Sequence, residues 1–118
     1  MPNTFVINGE ILKEFIGSIA AMGTWNAILH IDPVKGFYGK ITDTANTTLL
    51  DIQYQPNAFV SYKCDNPREI GIDVKAFMAI TSKIKKGTRK NPAPLVSLDI
   101  QEKEINVAVN GETTTIRI

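Results

Sequence analysis

The residues able to do chemistry are few in this chain, and their spacing does not bring them together. His30 is the one histidine and Cys64 the one cysteine, so neither a Cys/His zinc site nor an internal disulfide can be assembled. His30 falls inside a run of alternating apolar residues with no serine or cysteine motif beside it, the setting of a structural or surface histidine. Asp43, Asp51, Asp65 and Asp99 are dispersed over separate strands and turns, and no spacing pairs two of them for acid–base work. Gly39-Lys40 resembles the end of a phosphate loop, but Val34 stands where the earlier glycine belongs and Ile41 where the hydroxyl should follow. Trp25, Phe59 and Tyr62 have faces that could stack on bases, yet no RNP-like pattern flanks them and core packing is the better reading. The sequence therefore reads as a non-enzyme, with no metal site and no cofactor.

One segment does carry a signal. The stretch Ser82–Pro94, SKIKKGTRKNPAP, places Lys83, Lys85, Lys86, Arg89 and Lys90 within eight positions and sets no acid among them. With Lys75, six of the chain's 13 Lys/Arg and none of its 12 Asp/Glu lie between Val74 and Leu98. A net charge of +1 thus hides a basic segment on an acidic body. Such asymmetry points to a polyanion on one side. The same residues would also suit a solvated helix end, where cations complement the dipole.

The elements that must position these residues follow from pattern. At 118 residues, 43% hydrophobic and 21% charged, the chain (residues 1–118) has the content of one compact domain. No charged region precedes an apolar core at the N-terminus, and no apolar run approaches the roughly 20 residues of a membrane span. A reducing, cytoplasmic setting with no membrane partner is expected. TFVI reads as a strand and Asn8 as the N-cap of a helix over Gly9–Met22, whose Ile11, Leu12, Phe15, Ile16 and Ile19 form one stripe before Gly23. WNAILHI, GFYGKIT and NTTLLDIQYQ read as three strands. AFVSYKC and REIGI are short strands, and Asp73 caps a helix from Val74 to about Lys86, ended by Gly87. In that helix Val74, Phe77, Met78, Thr81 and Ile84 face inward, opposite Lys75, Ala79, Ser82, Lys83 and Lys86. LVSLDIQ, EINVAV and ETTTIRI complete the chain through tight turns at Glu102-Lys103 and Asn110-Gly111, the latter a type I′ signal. The reading is an α+β domain of two tandem β-α-β-β-β units, with two helices on one face of an antiparallel sheet.

In combination, "NGEILKEFIGSIAAM", "ITDTANTTLLDIQYQ", "FVSYKCDNPREIGIDVKAFMAITSKIKKG" and the closing "TTTIRI" resemble the N-terminal domain of the proliferating cell nuclear antigen family of DNA sliding clamps, particularly its archaeal members. The resemblance implies a replication and repair scaffold, a processivity factor in which six such domains encircle duplex DNA with their helices inward. It implies phosphate contacts from Lys13, Lys75, Lys83, Lys85, Lys86, Arg89 and Lys90, blind to base sequence as a sliding ring requires. It implies assembly edge to edge, with Thr47, Leu49, Asp51 and Gln53 of one strand meeting Thr113, Thr115 and Arg117 of another, in a homo-oligomer or in a pairing with a full clamp. In the alternative reading the chain is a lone domain that caps or inhibits a full clamp without touching DNA. Family members join two such domains by a connector that would begin after Ile118. Clients such as DNA polymerase dock there in an apolar pocket; Thr42, Asn46, Thr47 and Leu49 occupy its positions here, mostly polar, so poor client binding is expected.

Overall fold

The computed structural model describes residues 3–23, 26–42, 45, 48–85 and 87–118. Trp25, Asp43, Asn46, Thr47 and Lys86, singled out above, lie outside the described residues. Chain order is β1 (Asn3–Asn8), α1 (Gly9–Ala20), β2 (Asn26–Asp32), β3 (Gly36–Thr42), β4 (Leu49–Tyr54), a 3₁₀ turn at Pro56–Ala58, β5 (Ser61–Lys63), β6 (Arg68–Asp73), α2 (Val74–Thr81), β7 (Leu95–Ile100), β8 (Glu104–Val109) and β9 (Glu112–Arg117).

The α+β class and the tandem units stand, and the antiparallel strands divide into two sheets, β5-β1-β7-β8-β9 and β4-β3-β2-β6. The opening strand of each unit crosses over: β1 pairs with β7 of the second unit, and β6 pairs with β2 of the first. The two units therefore interlock, and neither sheet can form from one half alone. The stretch expected as the strand AFVSYKC keeps only Ser61–Lys63, because Pro56 opens a 3₁₀ turn before it. Between the sheets and helices lies one core, with Phe5, Ile16, Ile31, Val74, Val96 and Ile105 all at most 2% exposed. Phe5, Phe37, Phe59 and Tyr62 meet edge-on or tilted in one cluster, Phe5 and Phe37 with centroids 4.9 Å apart.

Both helices start where their caps dictate. Asn8 Oδ1 accepts from the Glu10 N–H at 2.8 Å, and Asp73 Oδ1 from the Ala76 N–H at 3.1 Å, each satisfying a first-turn donor with no partner inside the helix. Helix α1 closes through Gly23, which holds φ +73 as a left-handed terminator should. Helix α2 is shorter than its pattern suggests, ending at Thr81 instead of Lys86. From there the bonds tighten to three-residue spacing, Lys83 N–H to Ile80 O and Ile84 N–H to Thr81 O. Ile80, Thr81 and Ile84 are β-branched, and Ser82 Oγ bonds back to the Ala79 carbonyl at 3.2 Å, all of which weaken the last turn. Gly87 is thus not the helix terminator.

Candidate nucleic-acid interface

The basic segment is a short helix followed by a moored loop, not one long lysine stripe. Lys75 is exposed on α2, while Lys83 and Lys85 are exposed in the tightened turn beyond it. Ile84, between those two lysines, is 3% exposed and pegs the turn into the core, so its neighbours must point outward. Further on, the Thr88 N–H donates to the Asn91 carbonyl at 2.8 Å and the Asn91 N–H to Thr88 Oγ1 at 3.0 Å. This reciprocal turn carries Arg89 and Lys90, both exposed, at its tip. Among the described residues, none of Lys75, Lys83, Lys85, Arg89 and Lys90 has a carboxylate within 4.0 Å; the one such contact is His30 Nδ1 to Glu69 Oε2, between β2 and β6, at 3.8 Å. The segment has no acid among its own residues, and although Glu112 shares a surface hollow with Lys83 and Lys85, its exposed cations can attract phosphates without reading bases.

Lys13 behaves differently. Its Nζ donates to the Ile84 carbonyl at 2.9 Å, an oxygen freed by the end of α2. Its neighbours on α1 include Glu10 and Glu14, so that helix adds no net positive charge to the surface. Glu10 went unnoticed in the sequence: Glu10 Oε2 accepts from the Gly87 N–H at 3.3 Å, a contact spanning 77 positions that no local pattern announces.

Strands β4 and β9 are sheet margins; Leu49, Asp51 and Gln53 lie on the first, and Thr113, Thr115 and Arg117 on the second. The Ile118 N–H donates to the Lys103 carbonyl at 3.0 Å, and the β8–β9 register pairs Ile116 with Ile105 and Thr114 with Val107. Since bonding alternates along an antiparallel ladder, residues 114 and 116 face β8 as 118 does, and the N–H groups of Thr113, Thr115 and Arg117 point outward. On β4, Leu49, Asp51 and Gln53 are exposed, Leu49 at 59%. Thr42 is also exposed, at the end of β3. The structure brings Thr42 and Leu49 into register as a cross-strand pair.

The other candidate groups are in ordinary structural positions. His30 stacks on Tyr38 with centroids 4.8 Å apart and an 11° angle, and Lys35 lies 5.6 Å from the same Tyr38 ring. Phe59 is 8% exposed, and the Tyr62 hydroxyl donates to the Asp32 carbonyl at 2.7 Å. Among the described residues no cluster of His, Cys, Asp and Glu has the make-up of a metal site, and no helix is long and apolar enough to cross a membrane.

No protein-family model and no curated protein sequence matches this chain. Solved structures do. The PCNA of A. fulgidus, in a structure with the C-terminal region of FEN-1 bound, superposes with a TM-score of 0.87 at 23% identity, over 99% of this chain and 44% of that one. PCNA from Thermococcus kodakaraensis gives 0.79 at 16% identity, over 98% and 45%. A PCNA2–PCNA3 complex from Sulfolobus tokodaii gives 0.78 at 16%, over 98% and 46%. The chain spans less than half the length of each. At these identities the likeness shows the fold, and that fold is one domain of a PCNA-type DNA sliding clamp.

Proposed function

We propose that the chain is a sliding-clamp domain acting as a non-enzymatic scaffold in DNA replication and repair, holding duplex DNA through sequence-blind phosphate contacts. The observation that carries this reading is the run of exposed cations Lys75, Lys83, Lys85, Arg89 and Lys90, none with a carboxylate within 4.0 Å, on a fold of this kind. Lys86 belongs to the same run in sequence. Long flexible lysines supply diffuse attraction that does not fix register, as a sliding protein needs. The working unit is an assembly, in which β9 of one copy pairs with β4 of the next. The S. tokodaii neighbour is itself a complex of two clamp chains, which favours pairing with a related domain as a second route. The A. fulgidus neighbour carries a FEN-1 segment; at the corresponding margin here Leu49 is apolar and Thr42 polar, so client proteins bind weakly if they use this place. The setting is the cytoplasm, with no membrane partner.

Fluorescence anisotropy on duplexes of unrelated sequence tests the DNA reading. Affinity is expected to be the same for each sequence and to fall steeply with salt. Replacing Lys83 and Lys85 by Gln should flatten the log–log salt slope by about 2, since each neutralised phosphate contributes ~0.9. An unchanged slope and affinity in that variant would remove this face from the account.

A further inference from the structure

The basic loop is fastened to the opposite helix at three points. The Gly9 N–H donates to the Pro94 carbonyl at 2.8 Å, Lys13 Nζ to the Ile84 carbonyl at 2.9 Å, and the Gly87 N–H to Glu10 Oε2 at 3.3 Å. All three anchors, Gly9, Glu10 and Lys13, come from the first turn and a half of α1. Two glycines permit the closeness. A Cβ on Gly9 would come within 2.7 Å of the Pro94 oxygen, and one on Gly87 within 2.7 Å of the Ala93 nitrogen. Ile84 and Ala93, buried at 3% and 8% exposure, pin the two ends of the loop.

We infer that Glu10 and Lys13 are positioning residues, which latch the loop 84–94 onto α1 and so hold its cations in place for a polyanion. The inference rests on the DNA reading for its functional consequence, but the latch itself does not. It makes Glu10 an acid that supports anion binding, against its own charge. By charge alone, deleting Glu10 beside a basic surface raises affinity for duplex. By positioning, deleting it lowers affinity, because Gly87 loses its acceptor and the loop that carries Arg89 and Lys90 opens.

The test uses the full 118-residue chain and its Glu10→Ala, Glu10→Gln and Lys13→Met variants. Without DNA, amide exchange at Gly87 is expected to speed up about tenfold in Glu10→Ala, and trypsin to cut sooner after Lys85 and Arg89. Glu10→Gln keeps a carbonyl acceptor and should stay within about threefold of the parent in exchange. With a random-sequence duplex at low salt, Glu10→Ala should bind about threefold more weakly while Glu10→Gln binds at least as well as the parent. Lys13→Met should also hasten tryptic cleavage of the loop, which keeps the latch testable should Glu10→Ala fail to fold. Exchange and cleavage unchanged in Glu10→Ala and Lys13→Met overturn the latch. Tighter duplex binding by Glu10→Ala overturns the positioning role. A parent chain that binds no duplex, with the exchange result as expected, sinks the DNA reading and leaves the latch standing.

Discussion

The Tyr62 hydroxyl, donating to the Asp32 carbonyl at 2.7 Å, ties β5 to the end of β2, and its ring packs against Phe5 and Phe59. Burial holds the phenol well above its ordinary pKa, and does the same more mildly for Tyr54. A group whose folded pKa is raised contributes stability that is fully present below the unfolded value, about 10 for tyrosine, and lost as pH climbs toward the folded one. Tyr62→Phe is therefore expected to cost about 1 kcal/mol at neutral pH through the lost hydrogen bond. It should also make the decline in stability above pH ~10 shallower than the parent's, since one of the two partly buried phenols no longer titrates. Urea melts at neutral and alkaline pH check both; equal alkaline slopes would contradict the burial of this hydroxyl. The core role of Tyr62 and Phe59 was legible in the sequence, because neither has the flanking pattern of a base-stacking surface. Glu10 was not legible, since its partner Gly87 is brought near only by the packing of two helices distant in sequence.

At the scale of elements, caps and turns were readable and helix length was not. Asn8 and Asp73 cap the helices, and Asn110 and Gly111 take φ 52 and 82, the doubly left-handed pair of a type I′ hairpin. These signals are local, held within a few residues. The end of α2 falls at Thr81, where the bonds tighten to three-residue spacing, Ser82 bonds back to Ala79, and the Ile84 carbonyl is left free to meet Lys13. Lys83 and Lys85 therefore lie beyond the helix, while Lys75 stays on it. A competition can be measured at Gly9. Helix propensity favours alanine over glycine by about 1 kcal/mol, but a Cβ there would approach the Pro94 oxygen to 2.7 Å and the Ile84 side chain to 3.1 Å. Backbone has little room to retreat, so Gly9→Ala should lose about 1–3 kcal/mol in chemical denaturation. A gain in stability would mean that the α1–loop contact is looser than described.

At the scale of the whole molecule, the tandem repeat was visible in the order of elements, whereas the exchange of β1 and β6 between sheets was not. Alternation of apolar residues says which face of a strand is buried, and it is silent about which distant strand becomes the neighbour. The exchange leaves β4 and β9 as margins of different sheets. On β9 the outward N–H groups belong to Thr113, Thr115 and Arg117, residues already suspected from the resemblance to sliding clamps. An unpaired threonine-rich margin is a template for another strand. In the proposed assembly β4 and β9 are unlike edges, so the pairing is heterologous and gives a ring of about six copies where the rotation closes, or an open filament where it does not. Thr115→Pro removes an outward donor and leaves the β8–β9 ladder its bonds, so it should block assembly without unfolding the chain. The measurement that tests the clamp account most directly is the solution mass of the purified chain by light scattering, beside that of Thr115→Pro. The account predicts a discrete multimer for the parent and a folded monomer for the variant. A parent that stays monomeric at high concentration, with the proline variant indistinguishable from it, would contradict the account.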